Sequence, residues 1–383
     1  MLMLRASEQL KLDILMKVLS GQLSRSQAQK LLNVSKSTMK RYLKKYHAKG
    51  AQSIKHGNSY RKPKHTYEVD LKNQVKDLLV RKYFDFNVTH FHEKLLSEEN
   101  LKVGRETLRK WCHEFHMVKR AKRRRGKARM YRDRLPQEGL MLQMDGSHHK
   151  WFGEKKSVLI ATIDDATNKI PYAEFFSSED TMNCMKVIRK IVERHGVFQV
   201  LYTDRAGIFG GGKRQSFAQL KRACEELGIQ VVYAHSPQAK GRIERLFQTL
   251  QDRLIVEMRI RNITTFDQAN HYLQNEFLSG IYADRFVVPA QQSESAYQRL
   301  LTSTVLSEIF CLKDYRRIYN DHTISFDANT YQLQPRDGIS IAGHEVEIRQ
   351  YPTRAWKIFY RGEEMPRSII KKGLKALPWY AES

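Results

Sequence analysis

The part of the chain that most limits its fold is residues 140–260, where the spacing of apolar residues changes several times. Alternation with a period of two predicts β-strands, and apolar residues three to four positions apart predict helices. The predicted strands cover 140–144, 157–163, 170–176, 198–203 and 229–233, and the predicted helices cover 181–194, 215–227 and a segment that starts at Ser236-Pro237. The order β-β-β-α-β-α-β-α predicts a three-strand antiparallel meander followed by helical crossovers to two more strands.

Three acidic residues lie at the ends of predicted strands or on the last predicted helix. Asp145 follows the first strand, Asp204 follows the fourth, and Glu244 lies on the last helix. Glu244 lies off the helix's apolar stripe, which consists of Ile243, Leu246, Leu250 and Leu254. Taken alone, Glu244 is better explained as a solvated ion pair with Lys240, one turn earlier. Together, the three acids at these points match the layout of a ribonuclease-H-like fold.

Three motifs carry a family resemblance that covers about residues 10–360. They are Gln143-Met144-Asp145-Gly146-Ser147, Tyr202-Thr203-Asp204 and Ser236-Pro237-Gln238-Ala239-Lys240-Gly241-Arg242-Ile243-Glu244-Arg245. These segments resemble the motifs of the DDE transposase and retroviral-integrase superfamily, and residues 248–254 are most similar to bacterial insertion-sequence transposases of the ISNCY type. The chain departs from the integrase pattern at Gln248 and Gln251, where many integrases carry lysines.

The resemblance implies a metal-dependent reaction on DNA. Two Mg²⁺ ions about 3.5 to 4 Å apart activate the nucleophile and stabilise the leaving oxygen, and Mn²⁺ can take their place. By the resemblance, Asp145 bridges both ions, Asp204 holds one and Glu244 holds the other. Carboxylate oxygens suit Mg²⁺, so three converging acids suffice without a protein nucleophile.

Other polar residues near these motifs have two interpretations each. Asp164 and Asp165 follow the second strand and are interpreted as turn formers, with a direct catalytic role as the alternative. His235 precedes the last helix and can meet a phosphate or make a capping contact. Lys240 and Arg242 are predicted to contact the DNA backbone, because a helix N-terminus favours anions.

Charge and composition point to a nucleic-acid partner. The 383 residues include 67 Lys and Arg against 41 Asp and Glu, a formal net charge of +26. A field of this sign concentrates polyanions, so double-stranded DNA, as element ends and as target, is the expected partner. No apolar run reaches the length of a membrane span, and the four cysteines are widely spaced, which predicts a cytoplasmic protein without a membrane partner. The resemblance further implies a bacterial, nucleoid-associated protein.

The N-terminal third predicts two helix-turn-helix modules, at 1–58 and 65–118. In the first module, Ser24 and Gln27 form a predicted capping box. In the second, Thr89 is the predicted cap, with Glu93 as its box partner. The predicted DNA contacts are Lys36, Ser37, Lys40, Arg41 and Lys44 in the first module; Arg105, Arg109 and Lys110 in the second; Arg123, Arg124 and Arg125 in a basic linker at 119–135; and His235, Lys240, Arg242 and Gln248 around the last helix.

The whole chain is therefore predicted to be an α+β multidomain protein. After the modules and linker come a ribonuclease-H-like, integrase-type catalytic core at 136–265, a helical connector at 266–312, a small β-barrel at 313–365 and a basic tail at 366–383. The predicted function is that of a transposase that binds the terminal repeats of its element, cuts 3′ ends and joins them to target DNA as a dimer or higher oligomer. The alternatives are a sequence-specific DNA-binding regulator with an inactive core and a free-standing nuclease for RNA hybrids.

Overall fold

The computed structural model describes most of the chain. The described ranges are 6–55, 67–118, 133–154, 156–203, 214–233, 241–301, 304–335 and 338–371. The chain divides into two compact units, Met1–Asp77 and Leu78–Ser383. No helix within the described ranges is long and apolar enough to cross a membrane.

The first unit contains three helices around one small core. They are α1 (Ala6–Leu19), α2 (Arg25–Leu32) and α3 (Lys36–Lys49), followed by a 3₁₀ turn, Gly50–Ile54. The capping box predicted for α2 is confirmed, because Ser24 accepts from the backbone N–H of Gln27 and the Gln27 side chain accepts from that of Ser24. Asn33 ends α2 in the left-handed conformation, with φ of 49°. Leu15, Ala28 and Met39 are buried where the three helices meet.

The next helices are α4 (Val69–Arg81), α5 (Val88–Ser97) and α6 (Arg105–Glu114). The division between the two units falls within α4. Phe91 and Leu95 of α5 and Leu108 of α6 are fully buried as the two helices pack together. The cap predicted at Thr89 is wrong: Asn87 caps α5 by accepting from the backbone N–H of His90. Asn is the stronger N-cap residue, and the helix therefore begins one residue before Thr89.

The second unit is built on a five-stranded sheet with the order β3-β2-β1-β4-β5. Its strands are β1 (Met141–His149), β2 (Ser157–Asp164), β3 (Ala173–Phe176), β4 (Val200–Thr203) and β5 (Gln230–Tyr233). The first three pair antiparallel, whereas β4 pairs parallel to both β1 and β5. Together with α7 (Thr181–His195), α8 (Arg214–Glu226) and α9 (Gly241–Ile260), this confirms the predicted order of elements.

Strand β1 is longer than predicted. Its parallel pairing with β4 ends at Gln143 opposite Tyr202, but its antiparallel pairing with β2 continues to His149. Asp145 therefore lies within the strand rather than at its end. The reason is that β2 supplies hydrogen-bonding partners for four residues beyond Asp145, in register with Ser157–Ile160.

The two faces of the sheet are covered by different helices. Even-numbered residues of β1, Leu142 and Met144, pack in one core with α7 and α8. The other core contains Leu159 and Ala161 of β2 and the apolar stripe of α9. This stripe consists of Ile243, Leu246, Phe247, Leu250, Leu254 and Met258. Alternate residues of a strand face opposite sides, so the odd-numbered residues of β1 face α9.

Beyond the sheet, the predicted connector is helical only in part. It contains α10 (Phe266–Tyr272), a π-helical segment (Leu273–Tyr282), α11 (Ala283–Phe286) and α12 (Leu306–Ile309). The connector ends against α8, where the guanidinium of Arg222 donates to the carbonyl of Ile309 (3.2 Å) and the backbone N–H of Lys313 donates to Gln219 (3.0 Å).

The C-terminal strands form two sheets around one core. The strands are β6 (Leu312–Arg317), β7 (Thr323–Phe326), β8 (Asn329–Leu333), β9 (Glu345–Gln350), β10 (Trp356–Tyr360), β11 (Glu363–Glu364) and β12 (Arg367–Lys371). One sheet has the order β11-β10-β9-β6 and the other β12-β8-β7. Ile324, Ile348 and Ile358 lie in their shared core.

The predicted small β-barrel is therefore corrected to two facing sheets. No ladder between described residues joins the two sheets, so the barrel is not closed there. A closed barrel needs its edge strands to pair, and β11, at one edge, is only two residues long. Strand β12 lies in the segment predicted as a tail.

Candidate active site

Asp145 lies on the face of β1 that looks toward α9. Its pairing partner on β2 is Ala161, which is buried in the core shared with α9. The carboxylate is half-buried, and its Oδ1 accepts from the backbone N–H of Gly146 at 3.1 Å. The core side of α9 and the carboxylate of Asp145 thus occupy the same side of the sheet.

Glu244 lies on the flank of α9 that contacts β1. The Nε2 of Gln251 donates to Oγ of Ser147 at 3.1 Å, which joins this flank to the strand. Glu244 and Gln251 are seven residues apart, about two turns, and so share a flank of the helix. Ser147 and Asp145 are two residues apart and share a face of the strand. Glu244 and Asp145 therefore face the same space between helix and strand.

A second contact sets the level of Glu244 along the strand. At the start of α9, Nε of Arg242 lies 2.9 Å from Oδ1 of Asp165, which also accepts from Nε2 of Gln143 at 3.0 Å. From Arg242 to Gln251 a helix rises about 13.5 Å, and from Gln143 to Ser147 a strand advances about 13 Å. Helix and strand run in step between these two contacts, so Glu244, two residues along the helix, and Asp145, two residues along the strand, lie within about 4 Å of each other along this direction.

The neighbouring pair Asp164 and Asp165 is fully buried and bound within the protein. Asp164 accepts from the backbone N–H of Gly139 and from the N–H and hydroxyl of Thr167. Burial raises the pKa of Asp164, and these hydrogen bonds oppose that rise. Asp165 accepts from the N–H of Leu135 in addition to its contacts with Gln143 and Arg242. These contacts match the interpretation of the pair as turn formers.

Two curated proteins are similar to this chain. A putative transposase, y4bF, from Sinorhizobium fredii is 29% identical over 373 residues, which cover 94% of this chain and 80% of that protein. The transposase for insertion sequence IS1202 from Streptococcus pneumoniae is 30% identical over 312 residues, 70% of this chain and 66% of that protein. The chain belongs to the insertion-sequence transposases.

Solved structures give a weaker comparison. The catalytic core domain of HTLV-2 integrase, in its dimeric form in complex with magnesium, is 15% identical to the transposase, with a TM-score of 0.30. The match covers 37% of the transposase and 88% of the viral chain. No protein-family model matches the sequence.

The structure gives Arg242 of the transposase an internal partner. Its guanidinium, 21% exposed, pairs with the fully buried carboxylate of Asp165. This contact orients the first turn of α9, two residues before Glu244. The predicted contact between Arg242 and DNA stays a prediction.

Glu179, an acid that the sequence analysis missed, lies beside Gly146 and His148, on the face of β1 opposite to that of Asp145. Its side chain is 8% exposed, and its carboxylate accepts from Nε2 of His148 at 2.9 Å. A Cβ atom at Gly146 would lie 2.5 Å from this carboxylate, so a larger residue at this position would require the Glu179 side chain to shift. Burial raises the pKa of the Cys184 thiol, and the charges of Glu179, Asp180 and Asp145 raise it further. The glycine after Asp145 was the available signal.

Some of the predicted DNA-contact residues are exposed, and others lie outside the residues that the structure describes. The residues whose side chains are exposed are Lys36, Ser37, Lys40, Arg41 and Lys44 on α3, Arg105, Arg109 and Lys110 on α6, and Gln248 on α9. Arg109 pairs with Glu106 at 2.9 Å on the same surface. Asp204, Arg123, Arg124, Arg125, His235 and Lys240 lie outside the described residues.

Proposed function

We propose that the transposase cuts and joins DNA at a site formed by Asp145, Asp204 and Glu244. The observations that support this proposal are the position of Asp145 on the face of β1 toward α9 and the hydrogen bond between Gln251 and Ser147, which joins the flank of α9 that carries Glu244 to the same strand. The register gives further support: β1 and β4 pair at Gln143 and Tyr202, each two residues before one of the two aspartates. Asp204 itself lies outside the described residues.

The donor set fits Mg²⁺. Asp145 is half-buried and Glu244 is exposed, so both can meet a cation that also binds water and phosphate. No group of three acidic, histidine or cysteine residues with metal-binding spacing occurs within the described ranges, which do not include Asp204. With Asp204 as the third ligand, these residues would hold Mg²⁺, or Mn²⁺ in its place. The bound ions would activate the nucleophile and neutralise charge on the phosphate in the transition state.

The protein's own contacts keep the two acids in place. The Arg242–Asp165 ion pair anchors the start of α9, and the Gln251–Ser147 hydrogen bond anchors its next turns. In the first step, water attacks the phosphorus at the element end and the 3′ oxygen leaves. In the second, that 3′-hydroxyl attacks a phosphodiester of the target DNA, whose own 3′ oxygen leaves.

The exposed cations of α3 and α6 supply the proposed contacts with the terminal repeats. Such contacts neutralise phosphates and release counterions, and they place a polar helix face against the DNA. The formal charge of +26 favours the approach of both element ends and target DNA. Bringing two ends together requires self-association, so we expect a dimer or higher oligomer on DNA.

A DNA-binding regulator with an inactive core is the alternative. Such a protein would have no need for a half-buried Asp145 facing an exposed Glu244. Turnover distinguishes the two functions, whereas binding alone does not.

The test compares the wild type with Asp145→Asn on labelled element-end DNA with Mg²⁺. We expect the wild type to cut the end and join it to target DNA, and Asp145→Asn to bind the end but give no product. Asp284→Asn, at an exposed carboxylate on α11, is the matched control and should cut like the wild type. Specific binding without cut or joined product in the wild type would refute the enzymatic function.

A further inference from the structure

The C-terminal half of α9 carries a buried acid that the proposed chemistry does not use. The side chain of Glu257 is 0% exposed and lies among three cationic or ionisable partners. Nε2 of His90 lies 2.6 Å from its Oε1, Nζ of Lys94 lies 2.8 Å from the same oxygen, and a nitrogen of Arg261 lies 2.5 Å from Oε2. His90 and Lys94 belong to α5, so this acid joins the catalytic helix to the second helical module.

One turn earlier, α9 carries the opposite charge. The guanidinium of Arg253, 8% exposed, binds both carboxylate oxygens of Glu93 on α5, at 2.6 and 3.2 Å. Arg285 also pairs with Glu93, at 2.8 Å. At the edge of the contact, Arg259 pairs with Asp85 at 2.6 Å. We call these contacts of α5 and its preceding loop with α9 the α5–α9 joint.

The order of charges allows one alignment of the two helices. Along α5 a basic group, an acid and a base follow at His90, Glu93 and Lys94, and along α9 a base precedes an acid at Arg253 and Glu257. Sliding α5 by one turn in one direction along α9 would place Glu93 toward Glu257, and sliding it by one turn in the other direction would place Lys94 toward Arg253. Like charges buried together cost several kcal/mol. An apolar contact of the same area would tolerate such a slip, because the hydrophobic effect has no direction.

The joint connects two surfaces that the proposed function requires to act together. On one side, α5 packs against α6, which carries the exposed Arg105, Arg109 and Lys110. On the other, α9 leads from Arg253 back to Glu244 over about 13.5 Å of continuous helix. All of these elements lie in one compact unit, Leu78–Ser383.

We propose that the α5–α9 joint fixes the distance between the DNA read by α6 and the phosphodiester that is cut. Glu93, Lys94, Arg253 and Glu257 are then positioning residues that act through the placement of two helices. This inference rests on the proposed function, and it adds a determinant of where the element end is cut.

The test removes the charges but keeps the volume of one pair. In Glu93→Met/Arg253→Met the side chains stay large and apolar, and replacing both partners of a buried ion pair this way is often neutral for stability. The matched control, Arg189→Met/Glu193→Met, removes an Arg–Glu pair of α7 that lies outside the joint. Arg253→Lys keeps the charge and serves as the conservative variant.

The readout is the set of cut positions on labelled end DNA with Mg²⁺, mapped to single nucleotides, with the affinity for the end measured beside it. We expect the double variant to bind within about threefold of the wild type but to spread its cuts over neighbouring phosphodiesters. The control and Arg253→Lys should cut at the wild-type bond. Cutting by a folded double variant at the wild-type bond alone, at the wild-type rate, would overturn the inference.

Amide hydrogen exchange keeps the inference testable if the wild type does not cut. The absence of cutting would refute the proposed function but not the inference about the α5–α9 joint. In the wild type, end DNA should then slow amide exchange in α6, in α5 and in the second half of α9. In the double variant it should slow exchange in α6 alone. Slower exchange confined to α6 in the wild type would overturn the inference about the α5–α9 joint. If the double variant does not fold, Arg259→Met, at a half-exposed pair of the same joint, is judged by the same cut positions.

Discussion

The two ends of α9 carry acids in opposite situations. Glu244, in the first turn, is exposed, and none of the described residues forms an ion pair with it. Glu257, in the last turns, is fully buried and bound by His90, Lys94 and Arg261. At about 100° per residue the two acids lie about 140° apart, on opposite flanks of the apolar stripe.

The difference shows that one helix can carry one acid that holds the structure together and another acid that is available for chemistry. A buried carboxylate surrounded by protein cations has no capacity left for a ligand, and it serves to hold another element. An exposed carboxylate facing Asp145 keeps its oxygens available for a cation from outside. We therefore expect substitution of Glu244 to affect activity and substitution of Glu257 to affect stability.

The largest expected effect is the loss of activity in Glu244→Gln. The amide lacks the anionic oxygens that Mg²⁺ prefers, so end cutting should fall at least about a thousandfold, about 4 kcal/mol of transition-state stabilisation. Because Glu244 is exposed, the free energy of unfolding should stay within about 0.5 kcal/mol of the wild type. Single-turnover cutting and urea unfolding measure the two quantities.

Glu294→Gln, which neutralises an exposed acid away from α9, is the control for this substitution. It should match the wild type in both measurements. Cutting by Glu244→Gln within tenfold of the wild type would remove this residue from the site and end the contrast with Glu257.

The next effect concerns acid stability and tests the buried end of α9. Burial by itself raises the pKa of Glu257, but hydrogen bonds and charge from His90 and Lys94 outweigh it and lower the pKa to about 2 from an ordinary 4.5. A lowered pKa gives stability that is present above about pH 4.5 and is lost as the pH falls toward 2. The linked free energy is about 3 kcal/mol.

Urea unfolding of the wild type and of Glu257→Gln at several pH values between 5 and 2.5 measures this loss. The wild type should lose most of about 3 kcal/mol more than the variant over this range. Parallel curves for the two proteins would show that the Glu257 charge does not stabilise the joint.

Local patterns predicted much of this structure. The order of strands and helices around Asp145 and Glu244 followed from the spacing of apolar residues, and the Ser24 cap followed from its own neighbours. Each of these signals is contained within a few residues. The catalytic roles of the three acids remain a prediction.

Long-range contacts explain what the sequence analysis missed. Glu93 fits a capping box with Thr89, but its carboxylate binds Arg253, which is 160 positions away in the chain. Glu179, two residues before α7, lies beside Gly146 of β1, and no spacing along the chain reveals that approach. The two sheets of the C-terminal region likewise depend on which edges meet rather than on the strands themselves.

The smallest expected effect tests the link between Glu244 and β1. Gln251→Ala removes the hydrogen bond to Ser147, which should lower the free energy of unfolding by about 1 kcal/mol and slow cutting by no more than about tenfold, because Arg242 still anchors the start of α9. Gln248→Ala changes an exposed glutamine one turn from Glu244 and should leave stability unchanged. If Gln248 contacts DNA, its variant alone weakens end binding, so unfolding and binding measurements separate the two glutamines. Equal stability of Gln251→Ala and the wild type would mean that this hydrogen bond does not hold the catalytic flank of α9 to the strand.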